Sequence, residues 1–367
     1  MLKIAHTICP SCSVGCGVNL IIKNQKVVGT FPYKRHPINQ GKNCKKGRDS
    51  FQTLTKNRLE NPLMKKDGFQ QVSWEYALNK AAHKLKSYPA KDIGIIVSGN
   101  CTNEEYETLK KLADTLDVEN IGCNIGNISN FEIETANFDD VENSDIIMII
   151  GNVLKENPLL GRRIILAKEK GAEIINIDNP EKTLTGINSH QYLKIESTSS
   201  IQDNIENSML DKLTETSTVI IGQLENKDKF IEILKFFQQT HAKILPVMEN
   251  CNSQGAMNNF PSLTKENLKK LAEKAKILFV LGDDPASYME ESLKNVDFLI
   301  SQGCFVNDTV LMADLVLPGS CWVEKSGSFT NTTGNRQEFK EIIQAPGNAM
   351  DDKTIIINIA KEIGIEL

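Results

Sequence analysis

Ile93-Gly94-Ile95-Ile96-Val97, followed by Thr102-Asn103-Glu104-Glu105-Tyr106, is the stretch on which the fold turns. The first run is apolar, β-branched and short, as a buried strand is. Thr102 and Glu105 then have the spacing of a capping box, in which two side chains satisfy backbone amides at a helix start. Tyr106, Leu109, Leu112, Ala113 and Leu116 continue as an apolar stripe at helical spacing. A buried strand feeding an amphipathic helix is half of a βαβ unit. Outward from it the alternation recurs. Ser73 precedes a second helical stripe, Trp74, Ala77, Leu78, Ala81, Ala82 and Leu85. Strand-like runs stand at 146–150, 173–177, 218–221, 243–248, 277–281 and 298–301, with helical patterns at 228–239 and 265–274. This rhythm is that of doubly wound parallel sheets. So many strands call for two such sheets, and the expected fold class is α/β.

The first 55 residues have a different texture. They hold four of the nine cysteines and read as short strands at 18–22 and 26–30 about a Lys23-Asn24-Gln25 turn. Cys9, Cys12 and Cys16 share one loop, and Cys44 comes from a second, Gly41-Lys42-Asn43-Cys44-Lys45-Lys46-Gly47. An iron–sulfur cluster needs thiolates converging on a compact core, and one tight loop readily supplies three. Pro10, Gly15 and Gly17 let that loop curl. The spacing points to one [4Fe–4S] cluster on Cys9, Cys12, Cys16 and Cys44. Zinc is the rival, although a four-thiolate zinc site usually shows two C-x2-C knuckles and this sequence shows one. Free thiols are the third reading, and three cysteines crowded into one loop count against it.

The chain has 367 residues, 40% of them hydrophobic and 24% charged, with a net charge of −5. That suffices for a sizeable core and two or three domains. No long basic run marks nucleic acid as a partner. No apolar stretch approaches the roughly 20 residues that span a bilayer. Met1-Leu2-Lys3-Ile4-Ala5-His6 shows neither an apolar signal region nor a twin-arginine pair. A cytoplasmic location is expected, where thiols stay reduced.

Cys9-Pro10-Ser11-Cys12-Ser13-Val14-Gly15-Cys16-Gly17, with Lys34-Arg35-His36-Pro37-Ile38-Asn39-Gln40-Gly41-Lys42-Asn43-Cys44-Lys45-Lys46-Gly47, resembles the N-terminal domain of molybdopterin oxidoreductases, in particular the formate dehydrogenase alpha subunits of methanogenic archaea. The likeness continues through Arg58-Leu59-Glu60-Asn61-Pro62-Leu63, Gly151-Asn152 and Glu156-Asn157-Pro158. It returns in Ala313-Asp314-Leu315-Val316-Leu317-Pro318 and Glu324-Lys325-Ser326-Gly327-Ser328-Phe329-Thr330-Asn331. The resemblance implies a small [4Fe–4S] domain over residues 1–55, joined by about 322–345. It implies a first Rossmann-like lobe over 56–122, continued by about 251–321 and 346–367, and a second lobe inserted at 123–250. It also implies that Lys46 bridges cluster and pterin; the alternative is a solvated lysine in the basic patch from 42 to 46. The C-terminal β-barrel of the family is not in this sequence. The resemblance leaves room for another chain to supply it, as in formylmethanofuran dehydrogenases.

The departures from the family bear on catalysis. The family's metal ligand is a Cys or selenocysteine followed by His. The nearest candidate, Cys123, is followed by Asn124, and none of the five histidines is near it in sequence. A buried structural thiol is the competing reading. The family's substrate arginine falls on Met248, which cannot make a bidentate contact with an anion. Asn179-Pro180-Glu181 puts a carboxylate where a cation is usual, Ser197 to Ser200 replace a glycine turn, and Asn335 stands for an arginine. These losses count against a molybdenum or tungsten pterin. They lead us to expect a narrowed crevice between the lobes with Asp283 and Asp284 near its mouth. Gly282-Asp283-Asp284-Pro285-Ala286-Ser287 reads as a βα turn whose Asp and Ser cap the helix. Arg162-Arg163 reads as an exposed basic pair, and Cys101, Cys251, Cys304 and Cys321 as core thiols.

The sequence thus supports an iron–sulfur electron-transfer subunit of a redox complex, catalytically degenerate, with no catalytic residue assigned. Its partners would be ferredoxin-like, flavin or hydrogenase subunits, as the resemblance implies. The alternatives are a pterin-binding catalytic subunit for formate or a related one-carbon compound, and a zinc-binding assembly or scaffold protein.

Overall fold

The computed structural model describes residues 1–125, 135–178, 183–195, 201, 205, 207–224 and 229–367. Among the described residues seventeen strands appear in chain order. They are β1 (Leu2–Ile8), β2 (Gly17–Lys23), β3 (Lys26–Pro32), β4 (Leu63–Lys65), β5 (Phe69–Gln71), β6 (Ile93–Val97), β7 (Ile121–Cys123), β8 (Ile146–Ile150) and β9 (Glu173–Asp178). Then come β10 (Gln191–Lys194), β11 (Thr218–Ile221), β12 (Lys243–Pro246), β13 (Ile277–Leu281), β14 (Phe298–Gly303), β15 (Leu315–Pro318), β16 (Gly327–Thr330) and β17 (Arg336–Phe339).

Two sheets carry the α/β part. The first has the order β5-β4-β15-β14-β13-β6-β7, with β4 and β5 as an antiparallel edge on five parallel strands. Numbered among themselves, the parallel strands run 2-1-3-4-5, the flavodoxin-like doubly wound order. The second sheet, β10-β9-β8-β11-β12, is fully parallel and runs 3-2-1-4-5, the Rossmann order. Its strands fall in sequence between β7 and β13. Strand β8 shows why: Ile147, Met148 and Ile149 are fully buried, the continuous apolar run of a parallel strand covered on both faces. The capping box forms as its spacing requires, with the Thr102 and Glu105 side chains each accepting from the other's backbone amide.

The N-terminal sheet is antiparallel, in the order β1-β2-β3. Asn24 (φ 51°) and Gln25 (φ 59°) make its hairpin turn, both left-handed as a twisted two-residue hairpin needs. Strand β1 was not expected from the sequence. Its first residues, Leu2 to Ile4, lie exposed, so its apolar pattern does not mark a buried face. It is held instead by full-length pairing with β2, from Leu2↔Lys23 to Ile8↔Gly17. Strand β12 stops short of the expected 248 at Pro246, which has no amide to donate.

The late segment returns across the molecule to tie the pieces together. Arg58 donates two hydrogen bonds to Glu324, at 2.6 and 2.7 Å, with both side chains buried. The neighbouring Lys325 ammonium lies 2.5 Å from Glu105 Oε1 and 3.0 Å from Asp352 Oδ2. Burial alone would oppose charge on Lys325, but Asp352 and Glu105 hold its pKa well above the ordinary lysine value. Burial lifts the Glu105 carboxyl from 4.5 to about 7, with Lys325 opposing the shift and Asp352 adding to it.

Removing the cation strands two buried carboxylates. Lys325→Met is therefore expected to cost about 3–5 kcal/mol, read as a lower midpoint in urea unfolding. The Glu105 carboxyl binds its proton more tightly folded than unfolded. Its contribution to stability is thus full below pH 4.5 and declines as pH rises toward about 7. The difference in unfolding free energy between wild type and Glu105→Gln, measured across that window, should show this slope; a difference independent of pH refutes the assignment.

Candidate iron–sulfur site

The loop after β1 closes on itself when the Cys9 amide donates to the Cys16 carbonyl at 2.8 Å. Gly15 at its tip has φ +75°, and a Cβ there would lie 2.1 Å from Gln337 Oε1. The loop is fixed from outside by the late segment. Thr332 N donates to Ser13 O at 2.8 Å and Gln337 Nε2 to Gly15 O at 3.0 Å. From the second lobe, Met248 O accepts from Ser13 Oγ at 2.7 Å.

Cys44 arrives on the second loop as the N-cap of helix Lys45–Asp49, and Gly47 N donates to its sulfur at 3.4 Å. Asn39 registers the two loops against each other. Its amide pairs with Gly17 N and O at 2.9 and 3.0 Å and donates to Lys42 O at 2.6 Å. Behind this loop Arg163 is buried, paired with Glu142 and donating to the carbonyls of Pro37 and Ile38. The expected exposed Arg162-Arg163 pair is thus corrected. Only Arg162 reaches the surface, because helix Pro158–Glu169 packs Arg163 against the loop that leads to Cys44. Asn39 was not singled out from the sequence, and Arg163 was read there as exposed. Both are polar residues whose role is to satisfy a distant loop's backbone, which has no local signature.

Cys9, Cys12, Cys16 and Cys44 line one cavity with Asn43, Gly47, Pro158 and Leu159. Burial raises the Cys9 thiol to about 12, with Cys12 and Cys44 adding to the shift, and burial likewise raises Cys12 and Cys16. Left without a metal, such thiols stay protonated; a metal core of positive charge reverses that balance. Asn43 Nδ2 is buried in the cavity wall without a hydrogen-bond partner, a donor suited to an inorganic sulfide. The residues therefore fit an iron–sulfur cluster, which supplies a one-electron store when bound. No three His, Cys, Asp or Glu side chains among the described residues converge closely enough to share a single metal ion. Lys46 is exposed and donates to the Glu156 carbonyl at 2.9 Å, which ties the Cys44 loop to the second lobe.

The pterin positions fall differently. Cys123 is fully buried at the end of β7, its thiol raised to about 12 by burial, and Met248 is buried in the wall of a small hollow of ≈30 Å³ between the lobes. Glu181 and the run from Ser197 to Ser200 lie outside the described residues. Asn335 sits in the β16–β17 turn, its amide donating to Asn331 Oδ1. Two expectations are corrected. Asp283 and Asp284 do not cap their own helix: Asp283 accepts from the Tyr288 hydroxyl, and Asp284 accepts from Thr309 N and Oγ1. Nor are they walls of the crevice between the lobes. Asp283 lines a separate hollow of ≈340 Å³ with Asn100, Gly282, Cys304, Lys325 and Asp352. It opens where β6 and β13 diverge, the switch point at which such sheets bind ligands.

That hollow offers little to hold a ligand bearing phosphates. Its lining cation, Lys325, is held between Glu105 and Asp352, and two of its walls are the carboxylates of Asp283 and Asp352. The described residues do not fit a pterin dinucleotide there. Cys101, Cys251 and Cys321 are buried as expected, whereas Cys304 is half-exposed at the rim of the same hollow.

Comparison with known proteins agrees with this architecture. Residues 2–56 match the molybdopterin oxidoreductase Fe4S4 domain and residues 58–362 the molybdopterin oxidoreductase model. The chain is 30% identical to an F420-dependent formate dehydrogenase subunit alpha of Methanocaldococcus jannaschii, over 99% of this chain and 70% of that one. It is 24% identical to the NADH-ubiquinone oxidoreductase 75 kDa subunit of Reclinomonas americana, over 100% of this chain and 58% of that one. Among solved structures, acetylene hydratase from Pelobacter acetylenicus shares the fold with a TM-score of 0.71 at 16% identity, covering 98% of this chain and 69% of that one. No helix among the described residues is long and apolar enough to cross a membrane. With a [4Fe–4S] domain at its N-terminus and the family's paired α/β lobes behind it, the chain belongs to the molybdopterin oxidoreductase family.

Proposed function

We propose that this chain is an iron–sulfur electron-transfer subunit of a cytoplasmic redox complex, resembling a formate dehydrogenase alpha subunit but degenerate as a catalyst. The observation that carries the reading is the contrast between two sites. Four cysteines line one cavity with a spare amide donor, while Met248 and Cys123, which no histidine directly follows, stand where substrate and metal would be held. Cys9, Cys12, Cys16 and Cys44 ligate the cluster, and Lys46 lies beside it. The spacing, with one C-x2-C knuckle where a four-thiolate zinc site usually shows two, favours an iron–sulfur cluster over a single zinc ion. The partners are other redox subunits of the ferredoxin-like, flavin or hydrogenase kinds. The division is three bodies: 1–55 with 322–345, 56–122 with 251–321 and 346–367, and 123–250. One feature favours a second reading, a pterin-binding catalytic subunit with its barrel on another chain: the ≈340 Å³ hollow at the switch point of the first lobe.

Metal analysis separates the readings. The purified chain is expected to hold iron and acid-labile sulfide at about four each, with no formate oxidation by an artificial acceptor. Molybdenum or tungsten copurifying in equal number with the chain overturns the degenerate reading, and zinc in place of iron overturns the cluster. Cys44→Ser should cripple cluster retention, since the remaining three ligands come from one loop; full occupancy in that variant refutes the ligand set. Lys46→Ala should keep the cluster and shift its potential modestly, as loss of a nearby positive charge requires; an unchanged potential removes Lys46 from the site.

A further inference from the structure

The charge of this chain is divided unevenly. Between Met1 and Lys56 there are ten lysines and arginines and one carboxylate, Asp49. That is a formal +9 in a chain of net −5, so the other residues carry −14. All ten basic side chains are exposed. The one acid is already paired with Lys45. Among the described residues Lys34, Arg35, Lys42 and Arg48 show no acidic partner.

Six of the ten, Lys34, Arg35, Lys42, Lys45, Lys46 and Arg48, lie on the segment around Cys44, whereas Lys3, Lys23 and Lys26 sit at the far end of the N-terminal sheet. Lys42 precedes Cys44 by two residues, and its carbonyl is held by Asn39. The helix that Cys44 caps carries Lys45, Lys46 and Arg48. The Lys34 backbone packs against Gly41, where an added Cβ would lie 3.2 Å from its Cα. The basic patch therefore surrounds the Cys44 loop. Cys44 is also the one of the four cysteines that is not buried, so this is the edge at which the cavity comes nearest to solvent.

We infer that the basic face around Cys44 docks an acidic electron-carrier protein. The inference rests on the electron-transfer reading above and adds the chemistry of the partner. Electron transfer weakens steeply with distance, so a carrier must seat at the cavity's thinnest wall, and that wall is ringed with unpaired positive charge. The −14 of the remainder gives the molecule a strong dipole. A carboxylate-rich protein is repelled by the lobes and drawn to the cluster end, which orients the encounter as well as accelerating it. The same negative lobes disfavour a nucleic-acid polyanion long enough to reach past the patch.

The test uses the cluster-loaded full chain, with an acidic two-iron ferredoxin as probe. Binding is measured at about 0.01 M and about 0.15 M salt, between which the Debye length falls from roughly 30 to 8 Å. The ferredoxin should bind at least about tenfold more weakly at the higher salt, as electrostatic steering requires. The triple variant Lys34→Glu, Arg35→Glu, Lys42→Glu should bind about tenfold more weakly at low salt. Its cluster absorbance and its reduction by a viologen dye should be unchanged. The milder Lys34→Gln, Arg35→Gln, Lys42→Gln set should fall between, and it serves if the reversal disturbs folding. Salt-insensitive ferredoxin binding, equal binding by both variants, or tighter binding of a DNA duplex than of ferredoxin overturns the docking inference. A cluster that viologen cannot reduce overturns the electron-transfer reading instead, and the binding data remain interpretable without it.

Discussion

Glu324 and Lys325 are adjacent in sequence, opposite in charge and both buried, and the assembly of the molecule depends on where each finds its partner. Glu324 takes Arg58, at the junction between the N-terminal domain and the first sheet. Lys325 takes Glu105, from the helix after β6, and Asp352, from the C-terminal helix Asp352–Ile363. Asp352 is further held by Gln302 Nε2 and Ser320 N. Two neighbouring residues thus join four segments that are far apart in the chain. A buried ionic node of this kind is weak evidence for stability in itself, since burial of the charges offsets much of their attraction. Its value lies in specificity, because each charge has one place where it is neutralised. With the node in place, the strands that follow it are carried to the cysteine loop, where Thr332 and Gln337 bond its backbone.

The cysteine cavity is accordingly built by the whole fold rather than by its own domain. The first domain contributes the thiols and Asn39, the second lobe contributes the Met248 carbonyl and Arg163, and the late segment contributes Gln337 and Thr332. This explains how an iron–sulfur site persists on a scaffold whose other positions have changed. Two of its supports, Met248 O and Thr332 N, are backbone groups, which survive substitution of the side chain. Met248 illustrates the point: its side chain cannot bind an anion, yet its carbonyl still anchors Ser13.

The pterin side of the scaffold has no such protection. Binding a phosphate-rich cofactor depends on particular side chains and on unencumbered cations. Where the first sheet's strands diverge, the space remains, but the Lys325 charge is committed to Glu105 and Asp352, and Asp283 faces inward. The outcome is a fold with four clustered cysteines at one end and an acid-lined hollow at the switch point of the first sheet.

The sequence by itself determined the cysteine spacing, the capping box at Thr102 and Glu105, and the strand runs at Ile93–Val97, Ile146–Ile150, Thr218–Ile221 and Ile277–Leu281, which the structure reproduces. These are local signals: a thiol count, a reciprocal hydrogen bond, an apolar run between polar turns. The family resemblance was equally legible, because it rests on contiguous residues. The sequence was silent on strand β1 and on Asn39 as the clasp between the two cysteine loops, and it misplaced Arg163 at the surface and the Asp283 and Asp284 carboxylates on their own helix start. Each of these depends on a group more than ten residues away in the chain or on another element altogether, so no periodicity or spacing encodes it. Only the tertiary structure decided which charges are neutralised inside, at Lys325 and Arg163, and which are left outward, around Cys44. Burial makes a buried charge find a partner and leaves an exposed one free to attract another molecule.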